Sequence, residues 1–416
     1  MELFFVLSVN TEWIKLDDQH SNFTKPKKIK GDNMAQYTII ATAAMGLEAL
    51  VAKEVRELGY ECKVDNGKVI FQGDELAIAR ANMWLRTADR IKIEIAKFEA
   101  YTFDELFEKT KAIPWENYIP ENGEFPVSGK SLKSKLFSIS DCQAIVKKAI
   151  VERLKKAYNR IAWFKEDGPL FKIEIAMLKD VATITLDTSG TGLHKRGYRV
   201  EQGEAPLKET LAAALVILSN WKPDRPFIDP FCGSGTIAIE AAMIGQNIAP
   251  GFNREFVSEQ WPWMPESIWD QVRDEAEEKA NYDQPLNIKG YDIDHNMVEI
   301  AKKNAIEAGF GDLITFKQMQ VSDLTINEKY EQYGVIIGNP PYGERLGDRP
   351  TVEKMYRDMG RVLAPYETWS VYIMTSHEGF EKCYGKPATK KRKLFNGFIK
   401  TDLYQYWGKR PPRKQD

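Results

Sequence analysis

The sequence predicts an α/β protein with a mixed α+β N-terminal half and a doubly wound parallel sheet in its C-terminal half. Between residues 37 and 187, strand-like and helix-like hydrophobic repeats are mixed, and some strands follow one another directly, which is typical of α+β structure. From about residue 206, strands and helices alternate singly, which indicates βαβ units and a parallel sheet. A chain of 416 residues is long enough for two or three domains.

Composition argues against several classes of function. No apolar run approaches the roughly 18–20 residues of a membrane helix, so no membrane partner is expected. The four cysteines are scattered without a Cys-x-x-Cys pair, and the four histidines show no metal-ligand spacing. We therefore expect no metal, and the cysteine pattern fits a reducing, cytoplasmic location.

Residues 1–33 are expected to be a leader, either disordered or an extended start. The polar stretch TKPKKIKGDN precedes Met34 and the first predicted strand. The apolar start, MELFFVLSVN, lacks the basic residues and the cleavage site of a signal peptide.

Residues 34–100 form the first predicted unit, which has a ferredoxin-like pattern. Strands alternate with helices whose apolar residues recur at helical spacing, and an Asn66-Gly67 turn separates two of these elements. The predicted elements are strand 37–41, helix 46–58, strand 68–71, helix 74–85 and strand 90–98.

Residues 101–190 form a second predicted unit with helices 102–110 and 141–158 and strands 123–128, 171–178 and 181–187. Ser140 is expected to cap the longer helix. Residues 128–160 carry nine Lys or Arg against two acids, which is compatible with nucleic-acid binding although the whole chain has a net charge of −2.

Residues 191–416 form the third predicted unit. Its predicted elements are helix 207–218, strands 227–229, 286–292, 314–319, 334–337 and 369–374, and a final hairpin at 392–394 and 398–408.

A glycine loop, Asp229-Pro-Phe-Cys-Gly-Ser-Gly-Thr236, lies between a strand and the predicted helix 237–243. Glycine allows the tight turn and the close backbone approach that a bound ligand needs. The loop lacks the third glycine of a dinucleotide fingerprint and the lysine of a phosphate-binding loop. It therefore suits a ligand with an amino acid group and a nucleoside, which we expect to contact Asp229, Phe231, Gly233, Gly235 and Thr236.

Two more acids follow at predicted strand ends. Asp292, followed by Ile293, can accept hydrogen bonds from both hydroxyls of a ribose, and Asp323 can accept from an adenine amine. An insert at about 245–287 explains the long spacing from the glycine loop. Each acid alone is often a capping or turn residue, but three in order predict a site for the cofactor S-adenosyl-L-methionine.

The fourth strand end carries Asn339-Pro340-Pro341-Tyr342, the predicted catalytic residues. The Asn339 side-chain oxygen and the Pro340 carbonyl can accept from the two N–H bonds of an exocyclic base amine. Pro341 biases residue 340 toward an extended conformation, and Tyr342 offers a face for stacking a base. An isolated motif of this kind can be a surface Pro-Pro turn.

Cys232 has two interpretations. It could be a nucleophile toward a pyrimidine ring. Its position inside the glycine loop favours a small residue that fills space beside the cofactor.

These motifs resemble the class I S-adenosylmethionine-dependent methyltransferases that methylate amines. GTGLHKRGYR (190–199), APLKETLAAAL (205–215), IAPGF (248–252) and NPPYGERLGD (339–348) resemble, more narrowly, the THUMP-domain-containing RNA guanine-N2 methyltransferases. Residues 133–154, KSKLFSISDCQAIVKKAIVERL, resemble the core of a THUMP RNA-binding domain. The resemblance implies a ferredoxin-like unit, a THUMP domain and a Rossmann-like domain with a seven-stranded sheet.

The resemblance also implies RNA as the partner, with 23S ribosomal RNA preferred to transfer RNA. Arg196, Tyr198 and Arg199 are then either RNA contacts or an interdomain brace. Lys133, Lys135, Lys147 and Lys148 are expected to bind the RNA backbone, with a solvated helix face as the alternative.

Three other functions stay open at the level of sequence. The first is methylation of adenine N6 on RNA or DNA, because the same tetrapeptide presents any exocyclic amine. The second is guanine-N2 methylation of transfer RNA. The third, of another class, is a non-catalytic RNA-binding or ribosome assembly factor.

Overall fold

The computed structural model describes residues 36–201, 207–342 and 349–412. The predicted leader, residues 205 and 206 of the APLKETLAAAL motif, and the GERLGD segment at 343–348 lie outside these ranges. In the described residues, no helix is long and apolar enough to cross a membrane.

The N-terminal half is built on one seven-stranded sheet of order β2-β3-β1-β4-β7-β6-β5. All neighbouring strands are antiparallel except β5 and β6, which are parallel. The strands are β1 (Tyr37–Ala43), β2 (Cys62–Asp65), β3 (Lys68–Gly73), β4 (Ala88–Glu99), β5 (Val127–Leu132), β6 (Ile173–Leu178) and β7 (Val181–Asp187).

Strand β4 joins the two predicted N-terminal units into this single sheet. It pairs with β1 through residues such as Ile93 and with β7 through residues such as Phe98. Its twelve residues are long enough to serve both neighbours, and its buried isoleucines belong to one core that spans both units.

Four helices cover this sheet: α1 (Glu48–Glu57), α2 (Glu75–Trp84), α3 (Phe103–Lys111) and α4 (Ile139–Ala157). The side chains of Asp74, Thr102 and Ser138 cap α2, α3 and α4 by accepting from backbone N–H groups of the first turn. The prediction that Ser140 caps α4 is wrong, because the helix begins earlier and Ser138 accepts from the Asp141 N–H.

Strands β2 and β5 differ most from the sequence predictions. The strand predicted at 123–128 runs instead from Val127 to Leu132, and Glu124 forms only an isolated bridge to Leu170. Strand β2 was not predicted, because its alternation of apolar and polar residues covers only four positions and its side chains are half-buried or exposed.

The C-terminal half contains a second seven-stranded sheet of order β10-β9-β8-β11-β12-β14-β13. The first five strands in this order are parallel, and β14 and β13 are antiparallel to their neighbours. Its strands are β8 (Phe227–Asp229), β9 (Ile288–Asp292), β10 (Ile314–Gln318), β11 (Val335–Gly338), β12 (Ser370–Thr375), β13 (Lys390–Asn396) and β14 (Ile399–Tyr406). The predicted seven-stranded Rossmann-like sheet is confirmed.

The helices of this half are α5 (Glu209–Ser219), α6 (Thr236–Gly245), α7 (Glu266–Lys279), α8 (His295–Glu307), α9 (Arg349–Leu363) and α10 (Phe380–Tyr384). Helices α5 and α6 are almost entirely buried, which their runs of alanine and aliphatic residues permit.

The insert between α6 and β9 fixes the C-terminal half to the N-terminal sheet. Trp261 and Trp269 of the insert are buried in the N-terminal core, where Trp261 stacks on Phe171 with ring centroids 5.1 Å apart. Arg80 of α2 forms two hydrogen bonds, of 2.8 and 2.6 Å, with the Glu275 carboxylate of α7. The two sheets are therefore held by apolar packing and by a bidentate ion pair.

Candidate active site

The predicted site residues meet at one edge of the second sheet. Strands β8, β9 and β11 are parallel neighbours, so the loops that follow them leave the sheet side by side. This carboxyl edge is where ligands bind in open α/β sheets.

Asp229, at the end of β8, is fully buried. One carboxylate oxygen accepts from the Phe231 N–H at 3.1 Å, and the other has no hydrogen-bond partner among the described residues. Burial, and then the nearby Asp292, raise the pKa of Asp229 to about 8. An unpaired buried carboxylate oxygen is a strong acceptor for a cationic amino group.

The glycine loop turns sharply between β8 and α6. Gly233 and Gly235 have φ angles of 49° and 86°, which favour glycine. A Cβ atom at Gly235 would lie 3.1 Å from Ala301 and Phe316, so this glycine is also required by packing. A Cβ atom at Gly233 would meet only the Met297 methyl group at 3.9 Å, so space for a ligand exists on that side.

Asp292, at the end of β9, faces the glycine loop. One carboxylate oxygen accepts from the Gly233 N–H at 2.9 Å and the other from the Asp294 N–H at 3.0 Å. Ile293 follows with an exposed side chain, which can pack against an apolar face of a ligand. Asp292 thus fixes the conformation of the glycine loop.

Asp323 is exposed and lies in a 3-10 turn, Val321–Asp323, rather than at a strand end. Strand β10 stops at Gln318, five residues earlier, so the prediction that Asp323 ends a strand is wrong. Its carboxylate still follows the strand next to β9 and accepts from the Ser322 hydroxyl at 3.1 Å.

This set of groups fits S-adenosylmethionine. The unpaired oxygen of Asp229 suits the ammonium group of a methionine, and the open side of Gly233 admits its backbone. Asp292 and Ile293 suit the ribose and the edge of the adenine. In the described residues, no cluster of three or more His, Cys, Asp or Glu could hold a metal ion.

The tetrapeptide Asn339–Tyr342 leaves the end of β11 beside this loop. The Tyr342 hydroxyl donates to the Asn339 side-chain oxygen, so the structure pairs two residues that we predicted to act separately. The Pro341 carbonyl accepts from the Tyr356 hydroxyl at 3.1 Å. No described residue donates to the Pro340 carbonyl.

The Tyr356 and Thr375 hydroxyls lie next to the tetrapeptide, and the structure determines which of them donates to which acceptor. A carbonyl only accepts, so the single Tyr356 proton is directed to Pro341. Thr375 must then donate to the Tyr356 oxygen, 2.9 Å away. The backbone N–H of His377 in turn donates to the Thr375 hydroxyl oxygen at 3.1 Å. Burial raises the pKa of Tyr356 to about 12, which keeps it protonated. This series of hydrogen bonds fixes the orientation of the Pro341 carbonyl.

Cys232 is buried within the glycine loop. Burial, and then Asp229 and Asp292, raise the pKa of its thiol well above the usual range. A neutral buried thiol is a poor nucleophile, which favours the space-filling role.

Comparisons with known proteins assign the chain to a family. Residues 196–405 match the family model described as UPF0020, an RMKL-like methyltransferase domain. Residues 38–92 match the RlmL ferredoxin-like domain, and residues 100–187 match the THUMP domain. The chain belongs to this family of THUMP-containing, RMKL-like methyltransferases.

Individual relatives agree with this assignment over nearly their whole length. The Bacillus subtilis (strain 168) protein named Putative RNA methyltransferase YpsC is 70% identical over 384 residues, which are 92% of this chain and 99% of that one. A crystal structure from Listeria monocytogenes, named as a predicted N6-adenine-specific DNA methylase, is 63% identical with a TM-score of 0.85. It covers 90% of this chain and 97% of its own.

A third relative was crystallised with a ligand. SMU.472, described as a putative methyltransferase complexed with SAH, is 52% identical and superposes with a TM-score of 0.87. The match covers 91% of this chain and 99% of that chain.

Arg196 and Tyr198 are buried in this methyltransferase, which favours the interdomain brace over RNA contact. Arg196 donates to the Arg86 carbonyl at 2.6 Å and lies 3.3 Å from the Glu240 carboxylate. The Tyr198 hydroxyl donates to the same carboxylate at 3.2 Å. Arg86 belongs to the N-terminal half and Glu240 to α6, so these contacts join the two halves. The burial of both side chains contradicts the prediction that Arg196 and Tyr198 contact RNA.

Arg199 also faces inward, toward the glycine loop. Its guanidinium donates to the Ser234 and Thr236 hydroxyls at 3.1 and 3.0 Å and pairs with Glu209 at 2.8 Å. The Asn304 amide donates to the Ser234 carbonyl at 3.0 Å. The linker from the N-terminal half is thus hydrogen-bonded to the loop predicted to hold the cofactor. Because these bonds occupy the Arg199 guanidinium, the structure favours the brace over the predicted RNA contact.

The four predicted RNA-binding lysines differ in availability. Lys147 is paired with Glu166 at 2.7 Å and lies 3.5 Å from the centroid of the Phe125 ring, so it has a structural role. Lys133, Lys135 and Lys148 are exposed, and Lys135 and Lys148 lie over the rings of Tyr101 and Phe107. These three remain candidates for RNA contact.

Sequence reasoning missed Tyr356, Thr375 and Asn304. Tyr356 and Thr375 carry no local signal, because an apolar helix face or strand accommodates them as ordinary core residues. Asn304 is 1% exposed and lies in the last turn of α8. A buried asparagine within a helix requires hydrogen-bond partners, and that signal could have identified it.

Proposed function

We propose that this methyltransferase uses S-adenosylmethionine to methylate the exocyclic N2 amine of a guanine in RNA, with 23S ribosomal RNA as the substrate. The arrangement of Asn339 and Pro340 at the end of β11, beside the glycine loop, carries the proposal. The ligand of the SMU.472 structure, SAH, is what this cofactor becomes after methyl transfer, and it supports the cofactor assignment.

Binding of the cofactor is attributed to three groups. Asp229 accepts from the ammonium group, which would hold the carboxyl group in its ionised form despite burial. Asp292 accepts from the ribose hydroxyls, and Asp323 accepts from the adenine amine. S-adenosylmethionine supplies a methyl group on a sulfonium centre.

Orientation of the target amine is attributed to the tetrapeptide. An exocyclic amine is a weak nucleophile because its lone pair is delocalised into the ring. Acceptance of its two N–H bonds by Asn339 and Pro340 directs the lone pair toward the methyl group and favours the reacting geometry. The nitrogen gains the methyl group and then releases one of its protons to solvent, so no base with a shifted pKa is required.

RNA as substrate is supported by two observations. Residues 100–187 match the THUMP domain, and the 70% identical Bacillus subtilis protein is named as an RNA methyltransferase. Exposed Lys133, Lys135 and Lys148 lie in this N-terminal region and suit phosphate contacts.

Methylation of adenine N6 is the second candidate. The tetrapeptide presents any exocyclic amine, and the 63% identical Listeria relative is named as a predicted N6-adenine-specific DNA methylase. The THUMP match favours RNA as the substrate, and the motif resemblance described above favours guanine.

The proposed function is tested by methyl transfer from labelled S-adenosylmethionine. Purified protein is incubated with ribosomal RNA, transfer RNA and DNA from cells that lack the gene. We expect label in ribosomal RNA and a rate of labelling about a hundredfold or more lower with Asn339→Ala. Label in DNA alone would favour the second candidate, and no label with any nucleic acid would contradict both.

A further inference from the structure

A second concave surface lies at the edge of the C-terminal sheet opposite to the candidate active site. It is a cleft of about 480 Å³ formed at the starts of β11 and β12, the end of β14, and α1 of the N-terminal half. We call it the basic cleft. Tyr333, which lines it, is six residues before Asn339, or about 20 Å along an extended chain.

The charges that line the basic cleft all have one sign. Its cationic residues are Lys53, Arg225, Lys390, Arg392, Lys409 and Arg410. Among the residues that line it, all of them described, no Asp or Glu occurs. The whole chain has 58 basic and 60 acidic residues, so a random selection of six charged residues would contain about three acids. The cleft is thus a local positive region on a nearly neutral protein.

Four of these cations form no ion pair in the described part of the chain: Arg225, Lys390, Arg392 and Arg410. Lys53 lies 3.5 Å from Glu57, and Lys409 pairs with Glu367, both of which lie outside the lining. Uncompensated cations that converge on a cleft repel each other unless an anion enters.

An aromatic side chain lies beside these cations. Trp407 is 53% exposed, and its indole N–H donates to Gln405 at 3.3 Å, which fixes the orientation of the ring. Cations that track a backbone together with an exposed aromatic platform are typical of sites for single-stranded nucleic acid.

Contacts between the two halves of the protein fix the walls of the basic cleft. Arg392 of β13 donates to the Gly46 carbonyl of the N-terminal half at 2.8 Å. A Cβ atom at Gly46 would lie 2.9 Å from the Lys393 carbonyl, so the two halves approach closely here. Binding would therefore require little rearrangement of the two walls.

We propose that the basic cleft binds a segment of the RNA substrate that lies away from the target nucleotide. This inference rests on the proposed function, because it takes the substrate to be RNA. The distance of about 20 Å prevents one nucleotide from occupying both sites, so only an RNA that continues well past the target can reach the cleft.

The test compares Lys390→Gln/Arg410→Gln with a matched control, Lys63→Gln/Lys279→Gln. The control removes two exposed lysines outside the cleft. RNA affinity is measured between 50 and 300 mM salt, with thermal unfolding and cofactor binding as checks of folding. For the cleft variant we expect affinity for long RNA to fall about tenfold or more. The salt slope should fall by about two, because each of the two removed cations neutralises about one phosphate.

A short RNA that contains only the target nucleotide and its immediate neighbours provides the second measurement. We expect the cleft variant and the unmodified protein to methylate it equally, because it does not reach the cleft. Equal binding of long RNA by the cleft variant and the control would overturn the inference while leaving the proposed function intact. Failure of the unmodified protein to bind any RNA would overturn both.

Discussion

The Tyr342 hydroxyl donates a hydrogen bond to the side-chain oxygen of Asn339. That oxygen is one of the two acceptors proposed for the target amine. Burial raises the pKa of Tyr342, so the phenol keeps its proton and remains a donor. One lone pair of the acceptor is therefore occupied before a base arrives, and the amine can use the second lone pair or displace the Tyr342 hydroxyl.

Asn339→Ala tests the role of this oxygen. We expect kcat to fall by a factor of about 10² to 10³, comparable to the loss of one preorganised hydrogen-bonding group at a reacting centre. Affinity for the cofactor should change less than about twofold, because Asn339 is not among the groups assigned to it. Calorimetric cofactor binding and single-turnover methyl transfer check the two parts. Near-normal turnover would contradict the assigned orientation of the amine.

Tyr342 combines a ring for stacking with a hydroxyl that occupies Asn339. In Tyr342→Phe the ring is kept and the competing donor is removed, so we expect turnover within a few-fold of normal. In Tyr342→Ala the absence of stacking should cost about 1–3 kcal/mol, seen as weaker RNA binding or slower turnover. Equal damage from the two substitutions would show that the hydroxyl, rather than the ring, is required.

Tyr356 orients the Pro341 carbonyl, and Tyr406 provides a matched control. Each hydroxyl is directed to a backbone carbonyl at 3.1 Å, Tyr356 to Pro341 and Tyr406 to Lys386. Each change to Phe should lower the free energy of unfolding by about 1 kcal/mol. Only Tyr356→Phe should also lower kcat, with cofactor affinity unchanged. An equal effect of both on kcat would contradict the positioning role.

Asp229 gives the protein without cofactor a pH-dependent stability. Its pKa is raised by burial to about 8 from an ordinary value near 4. Between these values the unfolded chain has lost the proton that the folded state keeps, so stability falls as pH rises and levels off above pH 8. Each unit of pKa shift corresponds to about 1.4 kcal/mol, so the effect is a few kcal/mol.

Asp229→Asn removes this penalty and also the acceptor for the ammonium group. We expect the variant without cofactor to gain stability relative to the unmodified protein as pH rises from 5 to 8.5, and to bind S-adenosylmethionine far more weakly. Thermal unfolding at several pH values and calorimetry check this. A stability difference that does not change with pH would contradict the raised pKa of Asp229.

Local patterns predicted many elements well. Strands β7 and β8 have the predicted bounds. In both, a run of β-branched and aromatic residues ends at residues that are typical of turns or loops. Asp229, Asp292 and Asn339 were identified because strand ends in a parallel sheet converge on one edge. These predictions need only the order of residues along a few short segments.

Features that depend on distant residues were not predictable. The burial of Arg196 depends on Glu240, 44 positions later, and the pairing of β4 with β7 joins segments about 90 residues apart. Strand β2 is mostly exposed and only four residues long, so its short pattern is a weak signal, and it is held in place by antiparallel pairing with β3.

The identity of the methylated nucleoside tests the central claim most directly. RNA from cells lacking the gene is treated with the protein and labelled S-adenosylmethionine, digested to nucleosides and analysed by mass spectrometry, with Asn339→Ala as control. We expect N2-methylguanosine in the ribosomal RNA fraction, and about a hundredfold or more less of it with the variant in the same time. N6-methyladenosine as the labelled product would contradict the assignment of guanine.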